Sequence, residues 1–160
     1  MDSDSQRNGP IVPVCAAVIT RGGRVLVGRR GRGRTDAGRW EFPGGKLVVG
    51  EDPRECLARE LDEELGVRAR IDGIFDVVNH AYGRRGVLVI FFRATIPDDE
   101  VASRDHDLLI WAGPEDLGRL DFLEADRLTA ERLIAELGDD DRKTPRVKRR
   151  GSGRAGGPPT

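Results

Sequence analysis

Three glutamates, Glu60, Glu63 and Glu64, stand three and four residues apart in the stretch GKLVVGEDPRECLARELDEELGV, which runs from Gly45 to Val67. On a helix of 3.6 residues per turn, Glu63 falls roughly 60° to one side of Glu60 and Glu64 roughly 40° to the other, so the three share one face. Like charges so placed repel by roughly 0.2–0.5 kcal/mol per pair. A helix that needed only solubility would space its acids or alternate them with bases. Hard divalent cations relieve such repulsion: Mg²⁺ takes one or two protein carboxylates together with waters and substrate phosphates. The chemistry this spacing suits is cation binding and, through the cation, phosphate binding. The competing reading is a solvated acidic face.

The cluster needs a helix to carry it, and the sequence writes one. Asp52 can cap, Pro53 suits the first helical position, Glu55 can close a capping box with Asp52, and Gly66 provides the stop. Leu57, Leu61 and Leu65 form an apolar stripe roughly 100° from the centre of the carboxylates. One side of the helix therefore packs on a core while the adjacent side meets solvent, metal or ligand.

Around this helix the pattern is mostly extended. IVPVCAAVI at 11–19, the turn Arg21-Gly22-Gly23-Arg24 and Val25-Leu26-Val27 read as a strand, hairpin and strand over 11–30. RRGRGRTDAGR at 29–39 is a loop by composition; Trp40-Glu41-Phe42 is extended, and Pro43-Gly44-Gly45 forces a tight backbone course. Residues 67–78 alternate, with Gly73 a candidate bulge, and HAYGRRG at 80–86 reads as a turn. VLVIFFRA, from Val87 to Ala94, is continuously apolar and hence a central strand covered on both faces. A loop over 97–107, a short strand over 108–111, a helical turn at 114–117 and a helix over 124–137 complete the chain. In that last helix Leu128, Leu133, Ile134 and Leu137 are expected to point inward and Gly138 to end it. The pattern implies a mixed β-sheet covered by helices on both faces, an α/β fold, without internal repeats.

The chain of 160 residues is 38% apolar and 34% charged, with a formal net charge of -1. That balance fits one domain and gives no basis for strong nucleic-acid binding. Residues 1–10 and 139–160 hold almost no apolar side chains, so the folded unit is expected over 11–138, with a disordered N-terminus and a basic, Gly/Pro-rich, disordered tail. Cys15 and Cys56 lie in apolar patterns without paired spacing, which suits buried free thiols in a reducing, cytoplasmic setting. No signal peptide and no run long enough to span a membrane is evident.

The segment 45–67 resembles the Nudix hydrolase signature: Gly, five residues, Glu, seven residues, then Arg-Glu-apolar-x-Glu-Glu-x-Gly-apolar. Gly45, Glu51, Arg59, Glu60, Leu61, Glu63, Glu64, Gly66 and Val67 meet every specified position. The resemblance runs on from about residue 12 to 137. GRWEFPGGK, the Arg29-Arg30 pair and WAGPEDLGRLDFLEADR are similar to the MutT-type subgroup, which hydrolyses nucleoside triphosphates. What it implies is an α/β/α sandwich with a mixed sheet and hydrolysis dependent on Mg²⁺, or on Mn²⁺ in its place.

By that resemblance Glu60, Glu63 and Glu64 match the metal-binding glutamates, with the backbone at Gly45 a further contact. Arg59 matches the arginine that orients them, and Glu51 a supporting acid. Glu63 or Glu64 could also accept the attacking water's proton. Asp105 falls where related proteins often carry a glutamate of metal-linked or general-base role; the shorter side chain could act there through water, or the role could have moved to Glu100 or Asp107. Arg30, Lys46 and Asp126 are candidates for substrate contact. Asp126 stands where MutT-like proteins use an Asn to read guanine; an ionised Asp only accepts hydrogen bonds, which leaves oxidised guanine and cytidine nucleotides both open. Phe42, Phe75, Tyr82 and Phe122 are candidates for stacking or pocket walls, with core packing as the alternative. Trp111 reads as core or rim, and His80 and His106 as isolated, not a metal pair.

The expected activity is hydrolysis of a (deoxy)nucleoside triphosphate, canonical or modified, to monophosphate and pyrophosphate, by a monomer or homodimer. ADP-ribose or dinucleoside polyphosphate hydrolysis is the alternative within the same chemistry. Tyr82 resembles a tyrosine of the latter group, while NHAYG at 79–83 lacks the proline expected of the former. A non-catalytic nucleotide-sensing module is the alternative outside it.

Overall fold

The computed structural model describes residues 9–97 and 101–143. Most of the polar N-terminal segment, Glu100 and most of the basic tail lie outside them. Strands β1 (Ile11–Arg21) and β2 (Arg24–Arg30) form the expected hairpin, followed by the short strands β3 (Trp40–Glu41) and β4 (Gly44–Lys46). Helix α1 (Pro53–Leu65) leads into β5 (Arg70–Tyr82), β6 (Arg85–Thr95) and β7 (His106–Ala112), and the chain closes with α2 (Pro114–Leu117) and α3 (Glu124–Lys143).

β1 is the axis of a mixed sheet. It runs parallel to β6, with Cys15 opposite Ile90, and β6 pairs antiparallel with β5. On its other edge β1 changes partner: Val14–Ala16 face β4, whereas Thr20 and Arg21 face β2. β2 in turn carries both β3 and β7. The continuous apolar run in β1 buries both faces. Cys15, Ala17 and Ile19 join Leu57, Leu61 and Leu65 of α1, while Ala16 and Val18 join Ala125, Ala130, Leu133 and Leu137 of α3. Helices thus cover both faces, giving the α/β/α sandwich. No described helix is long and apolar enough to cross a membrane.

Several elements differ from the sequence-based expectation. The turn over 80–86 shrinks to its middle: β5 continues to Tyr82, β6 starts at Arg85, and Gly83 alone takes the left-handed backbone at φ 60°. The bulge expected at Gly73 is, by contrast, present: the register slips between Ile71 and Ile74. β7 begins at His106 rather than Leu108, because β2 is long enough to pair with it as far as Arg30. Leu133 and Leu137 point inward as expected and Ile134 packs against the same core, but Leu128 is 53% exposed, and Asp126, Thr129 and Ala130 complete the buried stripe. Gly138 does not end α3, which continues to Lys143. A stop needs a left-handed glycine; Gly138 is not among the residues of positive φ, and glycine within a helix costs only about 1 kcal/mol. Asp52 caps α1 by accepting from Arg54 N at 2.8 Å, in place of the box with Glu55, and Gly66 stops the helix at φ 65°.

Candidate active site

α1 presents its acids around one arginine. Arg59 reaches back to Glu51 with two parallel bonds, Nε to Oε1 at 2.7 Å and Nη2 to Oε2 at 3.1 Å. Its Nη1 donates to Glu60 Oε1 at 2.9 Å and lies 3.4 Å from Glu63 Oε2. The guanidinium holds the Glu51 carboxyl down to about 2, helped by Val48 N, and these acids lift Arg59 above its ordinary value. Repulsion along this face is therefore offset by a fixed cation, which also sets the carboxylate rotamers.

Close packing explains both glycines before α1, Gly45 against the cluster and Gly44 against the β1 backbone. A Cβ on Gly45 would stand 2.2 Å from Glu60 Cδ, and one on Gly44 would stand 2.0 Å from Cys15 O. Glu60 thus lies directly over the β4 backbone. Cys15 and Cys56 are buried free thiols beneath it, and burial pushes Cys56 up to about 12.

Glu64 differs from its neighbours. It is buried, its Oε2 has no hydrogen-bond partner, and burial followed by the charges of Glu60, Asp105 and Glu41 pushes it up to about 8. Among the described residues no three His, Cys, Asp or Glu side chains clasp a common point as they stand. A divalent cation nevertheless fits the donors present. They are hard oxygen ligands, and one is a buried carboxylate whose free oxygen lies in a field of other carboxylates, the arrangement a cation stabilises. Glu63 sits at the rim, 60% exposed along its side chain.

Asp105, in the loop before β7, pairs with Arg34 at 3.2 Å. Asp107, one of its two rivals, is held by Arg29 with bonds of 2.8 and 3.2 Å and is thereby kept below its ordinary value. The other rival, Glu100, is outside the described residues.

A cavity of about 350 Å³ begins one residue along β4 from the cluster, at Gly44, next to the Gly45 that lies under Glu60. Arg30, Phe42, Tyr82 and Asp126 all line it, as do Glu41 and Ala16. Lys46 is exposed on β4 and does not line it. Phe42 packs by its edge on Phe91 and stacks on Phe122 at 5.6 Å. Phe122 is core, and Phe75 lies under Arg93, so neither reaches the cavity. Trp111, partly buried, carries Arg21 over its ring. Tyr82 is propped by His80, which is also bonded to Glu124 at 2.8 Å, and its hydroxyl accepts from Ala125 N at 3.2 Å. Asp126 Oδ2 accepts from Phe42 N at 2.9 Å, and burial pushes the carboxyl up to about 7.

Sequence reasoning gave Glu41, Ser103 and Arg34 no role and set His106 aside as isolated, whereas its ring bonds both Glu41 and Ser103. Glu41 Oε2 takes Arg30 Nη1 at 2.7 Å and Oε1 meets His106 Nε2 at 2.9 Å. Burial alone would raise this carboxyl, but His106 and Arg30 hold it below its ordinary value. The one available signal for Glu41 was an acid between two aromatic residues in GRWEFPGGK.

Comparisons with known proteins agree with this geometry. The NUDIX domain family model matches residues 10–137. A Mycobacterium tuberculosis protein named "Putative 8-oxo-dGTP diphosphatase 2" is 40% identical over 115 residues, which are 71% of this chain and 82% of the relative. The CTP pyrophosphohydrolase of Escherichia coli is 32% identical over 127 residues, 78% of this chain and 93% of the relative. The crystal structure of the MutT protein from Methanosarcina mazei superposes with a TM-score of 0.72 at 28% identity, covering 86% of this chain and 99% of the other.

Proposed function

The chain belongs to the Nudix hydrolase family, and on that footing we propose that it hydrolyses (deoxy)nucleoside triphosphates, modified bases included, to monophosphate and pyrophosphate. The observation that carries this reading is the adjacency of two unlike halves. A cavity of about 350 Å³, walled by Phe42, Tyr82, Arg30 and Asp126, reaches Gly44, the neighbour of the Gly45 on which Glu60 lies, and Glu41, whose charge acts on Glu64. The relatives named for 8-oxo-dGTP and CTP support the same substrate class.

In this reading the α1 glutamates Glu60, Glu63 and Glu64, with the Gly45 backbone, hold Mg²⁺ or Mn²⁺. The bound cation supplies charge neutralisation on the phosphate oxygens and a more acidic water. Arg59 keeps the glutamates in place, since phosphoryl transfer depends mainly on positioning and electrostatics. Asp105 accepts the water's proton once Arg34 releases it, and Arg34 is then placed to meet phosphate charge. In the cavity Phe42 N occupies Asp126 Oδ2, leaving Oδ1 for the base. With its carboxyl near 7, Asp126 can accept as an anion or donate as an acid, which widens the base edges it can read beyond those open to an ionised Asp.

A product screen tests this. Purified protein with Mg²⁺ is expected to release pyrophosphate from at least one of 8-oxo-dGTP, dCTP, 5-methyl-dCTP and CTP. Glu63→Gln is expected to lower turnover roughly 100-fold or more without loss of fold. Products only from ADP-ribose or diadenosine polyphosphate would move the assignment to those substrates, and saturable binding without hydrolysis would make the protein a sensor.

A further inference from the structure

His106 is buried, with its side chain 2% exposed, and both ring nitrogens are engaged. Each bond leads to a different half of the site. Nε2 donates to Glu41 Oε1 at 2.9 Å, since a carboxylate can only accept. The other oxygen of Glu41 anchors Arg30, whose Nε is tied to Thr35 O at 2.8 Å, and Arg30, Thr35 and Glu41 all line the cavity. On the opposite edge Nδ1 lies 2.9 Å from Ser103 Oγ. That hydroxyl also accepts from Asp105 N at 3.2 Å and from His106 N at 2.9 Å. One donated and two accepted bonds use the full capacity of a hydroxyl, so the serine's proton goes to Nδ1. The ring is the Nε2–H tautomer in this network, and no bonding position on Ser103 is left over.

The strand beside it is pared back to admit the ring. A Cβ on Gly28 would stand 2.5 Å from His106 Cδ2. Arg30 and His106 are register partners across β2 and β7, and the register shifts between Arg29 and Arg30, next to that pair. Bulges of this kind re-aim side chains beside functional sites.

We propose that His106 is a positioning residue that sets two parts of the site at once: through Glu41 it fixes the Arg30 wall of the nucleotide cavity, and through Ser103 it fixes the turn that presents Asp105. The proposal rests on the hydrolase reading above, in which Asp105 takes the proton and Arg30 touches the nucleotide. It makes the two ring nitrogens separable. An Asn side chain places its amide near the Nδ1 position and a Gln near the Nε2 position. His106→Asn thus keeps the Ser103 contact and drops Glu41, whereas His106→Gln keeps Glu41 and drops Ser103.

The experiment is steady-state kinetics on these variants with the best triphosphate substrate, together with binding of its non-hydrolysable α,β-imido analogue. His106→Asn is expected to raise KM and weaken analogue binding about tenfold, with kcat within about threefold of wild type. His106→Gln is expected to lower kcat about tenfold with analogue binding unchanged. Ser103→Ala, a milder change that spares the buried ring, is expected to copy His106→Gln and to add nothing to it in the double variant. Parallel loss of kcat and binding in both His106 variants would make the residue mere packing and overturn the proposal. Wild-type kcat in Ser103→Ala would overturn it even if the His106 variants did not fold. An inactive wild-type protein would instead refute the hydrolase reading, while analogue binding by His106→Asn would still report on the Arg30 wall.

Discussion

Replacing Asp126 by Asn should make the protein more stable at alkaline pH and indifferent in the same respect at acid pH. The carboxyl is 6% exposed, and burial lifts it from an ordinary 3.8 to about 7, with Phe42 N opposing the rise and Glu41 adding to it. A group whose folded value lies above its unfolded value favours the folded state most below the unfolded value. That advantage is lost as pH rises to the folded value, so this carboxyl makes the native state progressively less stable between about pH 4 and 7. A shift of about three units at 1.36 kcal/mol each amounts to about 4 kcal/mol by pH 8. Asn keeps an oxygen acceptor for Phe42 N and cannot ionise. Urea unfolding of both proteins at pH 5 and pH 8 reads the effect, because every other titrating group is common to the two. Part of that advantage is already lost at pH 5, so the difference in stability should move in favour of Asp126→Asn by roughly 2–3 kcal/mol between those conditions. Parallel pH dependence in the two proteins would refute the reasoning, and with it the claim that Asp126 meets the nucleotide base partly as a neutral acid.

Other outcomes follow from single contacts. Gly45→Ala puts a methyl group where the Glu60 carboxylate now lies, 2.2 Å from Cδ, so the apparent Mg²⁺ affinity of turnover should fall roughly 10–100-fold, as read by a Mg²⁺ titration at saturating nucleotide. Asp76 is buried on β5, accepts from Thr129 Oγ1 at 2.8 Å and pairs with Arg132, tying α3 to the sheet. Asp76→Ala leaves the fully buried Thr129 hydroxyl without that partner and should cost on the order of 3 kcal/mol in urea unfolding, with little change in kcat for the folded fraction.

The α1 half of the site was legible because its rules are local. The cap at Asp52, the stop at Gly66, the stripe of leucines and the facing glutamates all follow from helical periodicity within one segment. The cavity half depends on register between distant strands. Glu41 and His106 are 65 residues apart and meet only because β3 and β7 both pair with β2. No periodicity in either segment announces that. Asp107 stands open in the sequence as an alternative to Asp105, and nothing in the segment announces that Arg29, on the neighbouring strand, pairs with Asp107 while Arg34 pairs with Asp105. Leu128 was assigned inward on hydrophobicity alone, whereas the arc of α3 that the sheet covers is set by Ala125, Thr129 and Leu133. Gly138 shows the limit of reading punctuation: glycine permits a helix to stop but does not oblige it.

The change of partner along β1 has a consequence for how such a protein can diversify. Its first half carries β4 and, over it, the glutamates; its second half carries β2, which leads to Arg30 and on to β3 and β7. One strand is thus the common mount for two assemblies, which meet again where Glu41 and Asp105 act on Glu64. On the proposed reading, substitutions at cavity positions away from that junction, such as Tyr82 on β5 and Ala125 on α3, can retune which base is accepted while the β4–α1 carboxylates stay in place. Duplicated copies of such a chain can drift apart in diet while keeping the same teeth.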